Sequence, residues 1–261
     1  MTDSLCFSHE VNEHIRLTQR RGGLTFGTDA YLLAAYVRPQ PRARAVDLGS
    51  GTGIIPLLCL SRGKAASFTG VEIQSAFCDL IAENAAVNGF SDRLTPLCRD
   101  VRELTTADTD GEVGLVTANP PYMKAGSGMG NANDEKYLAR HEAAGNITDF
   151  CAAAGRILRH GGRFVCVFRP ERTAELFAAM HSAHLEPKRM TAVQATAAAK
   201  PSMILVEAVK YASPGLFLTP PLCLWQSGAD DPAKPDTRMI PSADSDYIYA
   251  HCAFPDVFLA R

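Results

Sequence analysis

The chain has 261 residues, a formal net charge of −2 and 46% hydrophobic residues. This is enough to bury a large core, in one large domain or in a domain with an appendage, and the composition is ordinary for a globular protein. A charge of −2 gives no global basic field to advertise a polyanion partner, and no run approaches the ~20 apolar residues of a membrane-spanning helix. The eight cysteines, at 6, 59, 78, 98, 151, 166, 223 and 252, form no CxxC pair, and several lie in apolar runs. That pattern points to a reducing compartment and away from a zinc site or a disulfide framework. The polar N-terminus has no apolar signal core, so the expected location is the cytoplasm.

Residues 1–23 read as a mobile polar arm that ends in Arg20, Arg21 and two glycines. Thr28 is placed to cap a helix and Asp29 to sit at its positive end. Leu32, Leu33 and Tyr36 fit one face of that helix, which stops before Pro39. Residues 45–48 read as a short strand. Gly49, Ser50, Gly51, Thr52 and Gly53 follow, and a helix is expected over 54–60. Strand, glycine turn and helix open a nucleotide-binding α/β unit, in which glycines admit a ligand to the backbone and the helix start offers N–H groups. No P-loop lysine is present, which argues against nucleoside triphosphates. The GxGxG spacing is tighter than that of dinucleotide folds.

A second strand over 67–71 ends at Glu72, where a carboxylate can hold ribose hydroxyls or simply cap the next helix. A helix over Ser75–Val87 ends at Asn88-Gly89, a stop signal. Leu94–Cys98 reads as a third strand, followed by Asp100, which suits either an adenine amino group or a plain turn. A polar helix or loop leads to the β-branched run Val113–Ala118, a buried fourth strand.

Asn119-Pro120-Pro121-Tyr122 closes that strand. Proline lacks an N–H, fixes φ and keeps the residue before it out of the helical region. Asn119 is thereby held at a rigid strand exit. Its amide oxygen and the Pro120 carbonyl can accept the two hydrogens of a planar NH2 group, with Tyr122 stacked on the attached π-system. The bland alternative is a turn that only ends a strand. A long glycine-rich stretch over 123–133 follows, then Lys136, Arg140, His141 and Glu142 on a short helix, with His141 read as structural or substrate-contacting in preference to a catalytic base. An amphipathic helix over 146–159 is expected to stop at Gly161-Gly162. A fifth strand over 163–168, a helix over 171–183 and two strands over 188–195 and 203–209 complete the pattern, the last two as an antiparallel hairpin at the sheet edge. From Tyr211 the chain is proline-rich and reads as a loose tail, with Trp225 as a packing residue.

Alternating strands and helices imply an α/β fold with a mostly parallel sheet covered on both faces. In such sheets ligands bind beyond the carboxyl ends of the strands. Asp47 with the glycines, Glu72, Asp100 and Asn119 all end successive strands and so converge. The glycines admit an amino-acid moiety, Glu72 a ribose and Asp100 an adenine, while Asn119 receives an acceptor amine. This is the layout for S-adenosyl-L-methionine.

Asp47 to Gly53 together with Asn119-Pro120-Pro121-Tyr122 resembles the class I methyltransferases of the amino-methylating branch. Phe26-Gly27-Thr28-Asp29-Ala30, Glu72-Ile73-Gln74, Ala139-Arg140-His141-Glu142 and Arg169-Pro170-Glu171-Arg172 extend the likeness over residues 18–225. Together they resemble the family that methylates N6 of adenine 37 in valine tRNA. The resemblance implies a Rossmann-like seven-stranded sheet with a terminal antiparallel hairpin, in three segments: an arm at 1–24, a methyltransferase domain at 25–225 and a tail at 226–261. The tail departs from the family pattern. The resemblance also implies that Thr28, Ile73 and Val101 join the cofactor set, that Asn119, Pro120 and Tyr122 serve catalysis, and that no metal takes part. Arg20, Arg21, Lys124, Lys136, Arg140, His141 and Arg169 become candidate contacts to a tRNA anticodon loop, whose single-stranded bases leave their stack at low cost.

The rival readings are a glutamine N5-methyltransferase for a release factor, a methyltransferase for another RNA or DNA base amine, and a non-catalytic cofactor-binding scaffold. The first is disfavoured because only 46 residues precede Asp47, too few for the helical domain such enzymes carry. Intact Asn119, Glu72 and glycines argue against the scaffold.

Overall fold

The computed structural model describes residues 6–12, 14–20, 27–120, 145–227 and 239–259. Tyr122, Lys124, Lys136, Arg140, His141 and Arg21 lie outside them, as does the side chain of Arg20.

A nine-stranded sheet forms the centre. It is built from β3 (Arg44–Leu48), β4 (Ser67–Glu72), β5 (Leu94–Cys98), β6 (Val113–Ala118), β7 (Leu158–Phe168), β8 (Leu185–Gln194), β9 (Pro201–Lys210) and two short strands, β10 (Phe217–Leu218) and β11 (Leu222–Cys223). The main order is β8-β9-β7-β6-β3-β4-β5. β3 is parallel to β4 and β6, β4 to β5, and β6 to β7, whereas β9 runs antiparallel to both β7 and β8. These seven strands are the expected mostly parallel sheet with its antiparallel hairpin. β6 is buried at every position, as its β-branched, uncharged sequence requires of a central strand.

Helices cover both faces. On one side α1 (Thr28–Tyr36), α2 (Ile54–Ser61) and α3 (Ser75–Val87) enclose a core that includes Leu32, Leu33, Leu57, Leu58 and Ile81. On the other, α4 (Ile147–Ile157) and α5 (Thr173–Ser182) enclose Phe150, Ile157, Phe164, Phe168 and Leu176. α4 starts with a capping box in which the Asn146 side chain accepts from the N–H groups of Thr148 and Asp149, and Asp149 accepts in return from Asn146 N–H.

Several expectations change. The arm contains a hairpin, β1 (Cys6–Asn12) with β2 (Ile15–Arg20). Asn12 Oδ1 turns it by accepting from the N–H groups of His14 and Ile15. Its buried Ile15 and Leu17 join the core, an alternation too short to signal a strand by itself. Gly27, not Thr28, is the N-cap of α1, with no side-chain bond, and Thr28 is the first helical residue. α1 is buried throughout Ala30–Tyr36 rather than on one face, because it packs against α2, β7, β9 and the C-terminal segment. Gly161 and Gly162 do not stop α4. They lie within β7, where the pairing with β6 shifts register, and Gly161 takes a φ of 71°.

The hairpin of β8 and β9 does not form a bare edge, because β10 and β11 add to β8 in parallel. Beyond them the described residues are not loose. β12 (Trp225–Ser227) pairs with β13 (Met239–Pro241), and α6 (Ala243–His251) follows with Ser242 as its cap. Trp225 is 37% exposed, since it stands on this short ribbon rather than in the core. Ile248, Cys252, Phe254 and Phe258 pack into the core. Arg189 explains the last contact. This wholly buried guanidinium stacks 3.7 Å from the Tyr36 ring and donates to the carbonyls of Tyr36 and Phe258. Its charge is balanced by Glu207, which also accepts from Arg38 and Arg163. Burial pushes the Glu207 carboxyl upward, but the Arg38 hydrogen bonds and the charges of Arg189 and Arg163 bring it below its ordinary value.

Candidate active site

The carboxyl ends of β6, β3, β4 and β5 lie side by side in that order. At roughly 4.8 Å between strands, Asn119, the glycine loop, Glu72 and Asp100 share one edge, as the sequence predicts.

The loop between β3 and α2 is shaped from beneath. Asp47 is fully buried, with Oδ2 accepting from Ser50 Oγ at 2.7 Å and Oδ1 from Thr117 Oγ1 at 2.6 Å. Burial pushes its carboxyl up to about 7 against the pull of those two hydroxyls. Asp47 thus shapes the loop and faces no open space. Thr117 sits opposite it in the register of β3 and β6. Gly70 in β4 makes room for Ser50, since a Cβ there would lie 3.1 Å from Ser50 Oγ. Thr117 and Gly70 carry no sequence signal, because their role exists only across strands.

Above this support Gly49, Gly51 and Gly53 take φ values of 67°, 56° and 81°. A Cβ on Gly51 would meet nothing within 4 Å, so the loop offers bare backbone in an open place. Thr52 is buried and its carbonyl accepts from Asn84 Nδ2 of α3, which also donates to the carbonyl of Thr18. Arg20, at the end of β2, therefore follows a strand fastened beside the loop.

Glu72 is 7% exposed, with Oε2 accepting from Gly51 N–H and Oε1 from Gln74 N–H, each at 3.0 Å. A carboxylate has about four lone-pair positions, so two hydroxyls can still be received. Ile73 is partly exposed next to it. Asp100 makes a turn: Oδ1 accepts from Arg102 N–H, and both oxygens accept from the Arg102 guanidinium. These bonds hold its carboxyl below the usual range. Val101 is buried behind it.

On the other flank Asn119 is partly exposed and Pro120 buried. Asn119 Nδ2 donates to Asp29 Oδ2 at 3.0 Å, which brings the first turn of α1 to the end of β6. Thr28 is exposed beside it, and Arg169 is exposed beyond the end of β7. Among the described residues no group of three or more His, Cys, Asp or Glu side chains is placed to hold a metal ion, and no helix is long and apolar enough to cross a membrane.

The sheet order and the glycine loop at its carboxyl edge are those of a methyltransferase fold. Residues 22–186 match the family model of the methyltransferase small domain, and the chain belongs to that family. A tRNA1(Val) (adenine(37)-N6)-methyltransferase from Pectobacterium carotovorum is 30% identical over 193 residues, covering 68% of this chain and 75% of the relative. The enzyme of that name from Porphyromonas gingivalis is 28% identical, covering 69% and 72%. A solved structure described as a predicted O-methyltransferase from Agrobacterium tumefaciens superposes with a TM-score of 0.67 over 87% of this chain and 98% of that one, at 23% identity, and supports the fold.

The cofactor is S-adenosyl-L-methionine. The open backbone at Gly51 and the remaining acceptor positions of Glu72 fit its amino-acid and ribose parts.

Proposed function

We propose that the protein methylates the exocyclic N6 of an adenine in RNA, and that the target is adenine 37 in the anticodon loop of a valine tRNA. The observation that supports this most is Asn119 at the end of β6, fixed next to Pro120 on the same edge as the glycine loop and Glu72. The likeness to the two adenine-37 enzymes supports the choice of base.

The cofactor, when bound, supplies a methyl group on a sulfonium. Gly49 to Gly53 would hold its amino-acid part, Glu72 its ribose and Asp100 with Val101 its adenine, with Thr28 and Ile73 at the margins. Asn119 Oδ1 and the Pro120 carbonyl accept the hydrogens of the target amine. That amine is a poor nucleophile, because its lone pair is delocalised into the ring. Accepting its hydrogens favours a pyramidal nitrogen and stabilises the positive charge that develops on it. A site that set amine and methyl in line would add much of the remaining acceleration. A strong base is not needed beforehand, since the attacking amine is neutral and the methylated cation is very acidic. Tyr122 stacks on the extruded base, and Arg20, Arg21, Lys124, Arg140, His141 and Arg169 contact RNA. The reaction is assigned to residues 25–225, with 1–24 as an arm and 226–261 as a tail segment, in the cytoplasm.

Replacing Asn119 by Ala tests the assignment. Transfer of labelled methyl to RNA is expected to fall by about 10²–10³-fold to a small measurable residue, while cofactor affinity, measured by calorimetry, stays within about twofold. Turnover retained at the wild-type rate would remove Asn119 from the acceptor role.

A further inference from the structure

An amide has two ends of nearly equal shape, and only the oxygen end can accept from a substrate amine. Asn119 therefore needs something to fix which end faces outward. Its Nδ2 donates to Asp29 Oδ2 at 3.0 Å. An ionised carboxylate has no proton to give. The reversed amide would set two oxygens against each other and lose a charge-assisted bond.

The carboxylate is itself held. Asp29 Oδ1 accepts from Ala30 N–H at 2.9 Å in the first turn of α1, where the positive end of the helix favours a negative charge. Gly27 leaves room for it: a Cβ on Gly27 would come within 2.8 Å of Asp29 Oδ1, so any larger residue displaces the carboxylate or must itself shift. Gly27, Asp29 and Asn119 form one chain of constraint that joins α1 to β6 across 90 positions of sequence.

We infer that Asp29 is a positioning residue for methyl transfer: it orients the Asn119 amide so that Oδ1 faces the acceptor amine, and Gly27 keeps the space that this requires. The inference rests on the reading that Asn119 receives that amine. The carboxylate also polarises the amide, which increases the negative charge on Oδ1 where positive charge develops on the substrate nitrogen.

The test compares Asp29→Ala, Asn119→Ala and the double variant with the wild type, in methyl transfer to valine tRNA at saturating cofactor. For Asp29→Ala, kcat is expected to fall at least about tenfold, with KM for RNA and cofactor affinity within about twofold. The double variant is expected to be no slower than Asn119→Ala, because Asp29 acts through that residue. Asp29→Asn, whose amide can pair with Asn119 in either orientation, is expected to fall between wild type and Asp29→Ala. Additive losses, or a KM rise in step with a lowered melting temperature, would overturn the inference. A readout independent of turnover is the side-chain NH2 signal of Asn119 in 15N-resolved spectra of the cofactor-bound protein. Two well-separated, slowly exchanging protons in the wild type should collapse toward free-amide values in Asp29→Ala, and identical signals in both proteins would overturn the inference. A wild type inactive on every adenine amine would instead remove the acceptor reading, while the amide spectra would still decide the orientation.

Discussion

Glu72 accepts the N–H of Gly51 at 3.0 Å, so the glycine loop that follows β3 is fastened to the end of β4 by the side chain assigned to the ribose. One carboxylate shapes the loop and receives the ligand. Replacing Glu72 by Ala removes both contributions, and cofactor affinity is expected to fall more than about tenfold, or ~1.4 kcal/mol. Calorimetry reads this directly, and unchanged affinity would take Glu72 out of the ribose site.

Asp47 gives a pH dependence of known sign. Its carboxyl is raised from 3.8 to about 7 in the folded protein. Between those values the folded state holds a proton that the unfolded chain has released. Stability attributable to this group therefore falls as pH rises from about 4 to about 7, by up to ~1.4 kcal/mol per pH unit. Urea unfolding of the wild type and of Asp47→Asn across that range is expected to show the slope in the wild type only. Parallel curves would mean that Asp47 titrates as an ordinary carboxyl.

The C-terminal segment is predicted to be part of the core. Phe258 is 1% exposed, stands edge-on to Phe254 at 5.4 Å, and offers its carbonyl to the buried Arg189. Phe258→Ala is expected to cost about 3–5 kcal/mol, the usual range for a buried phenylalanine. A change within about 0.5 kcal/mol in denaturant titration would mean that the segment is dispensable.

The sequence was legible where a local signal decides the structure. β6 runs over Val113–Ala118 and α3 over Ser75–Val87 as expected, the first from a β-branched run and the second from the Asn88-Gly89 stop. The convergence of the glycine loop, Glu72, Asp100 and Asn119 also followed from strand ends alone. What remained hidden depends on partners distant in the chain. Ile15 and Leu17 have no visible reason for burial until Asn84 fastens β2 to α3. Gly161-Gly162 looks like a helix stop until the pairing with β6 places it inside a strand. The tail looks loose because prolines mask the few apolar residues that Tyr36 and Arg189 receive. Asp29 looked like a helix-end charge, and only its bond to Asn119 shows a second partner.

The most direct measurement of the central claim is methyl transfer from labelled S-adenosyl-L-methionine to unmodified valine tRNA, followed by digestion to nucleosides and mass spectrometry. A tRNA with position 37 replaced serves as the control. The account predicts labelled N6-methyladenosine that disappears in the control. Label in any other nucleoside, or N6-methyladenosine that persists without adenine 37, would contradict it.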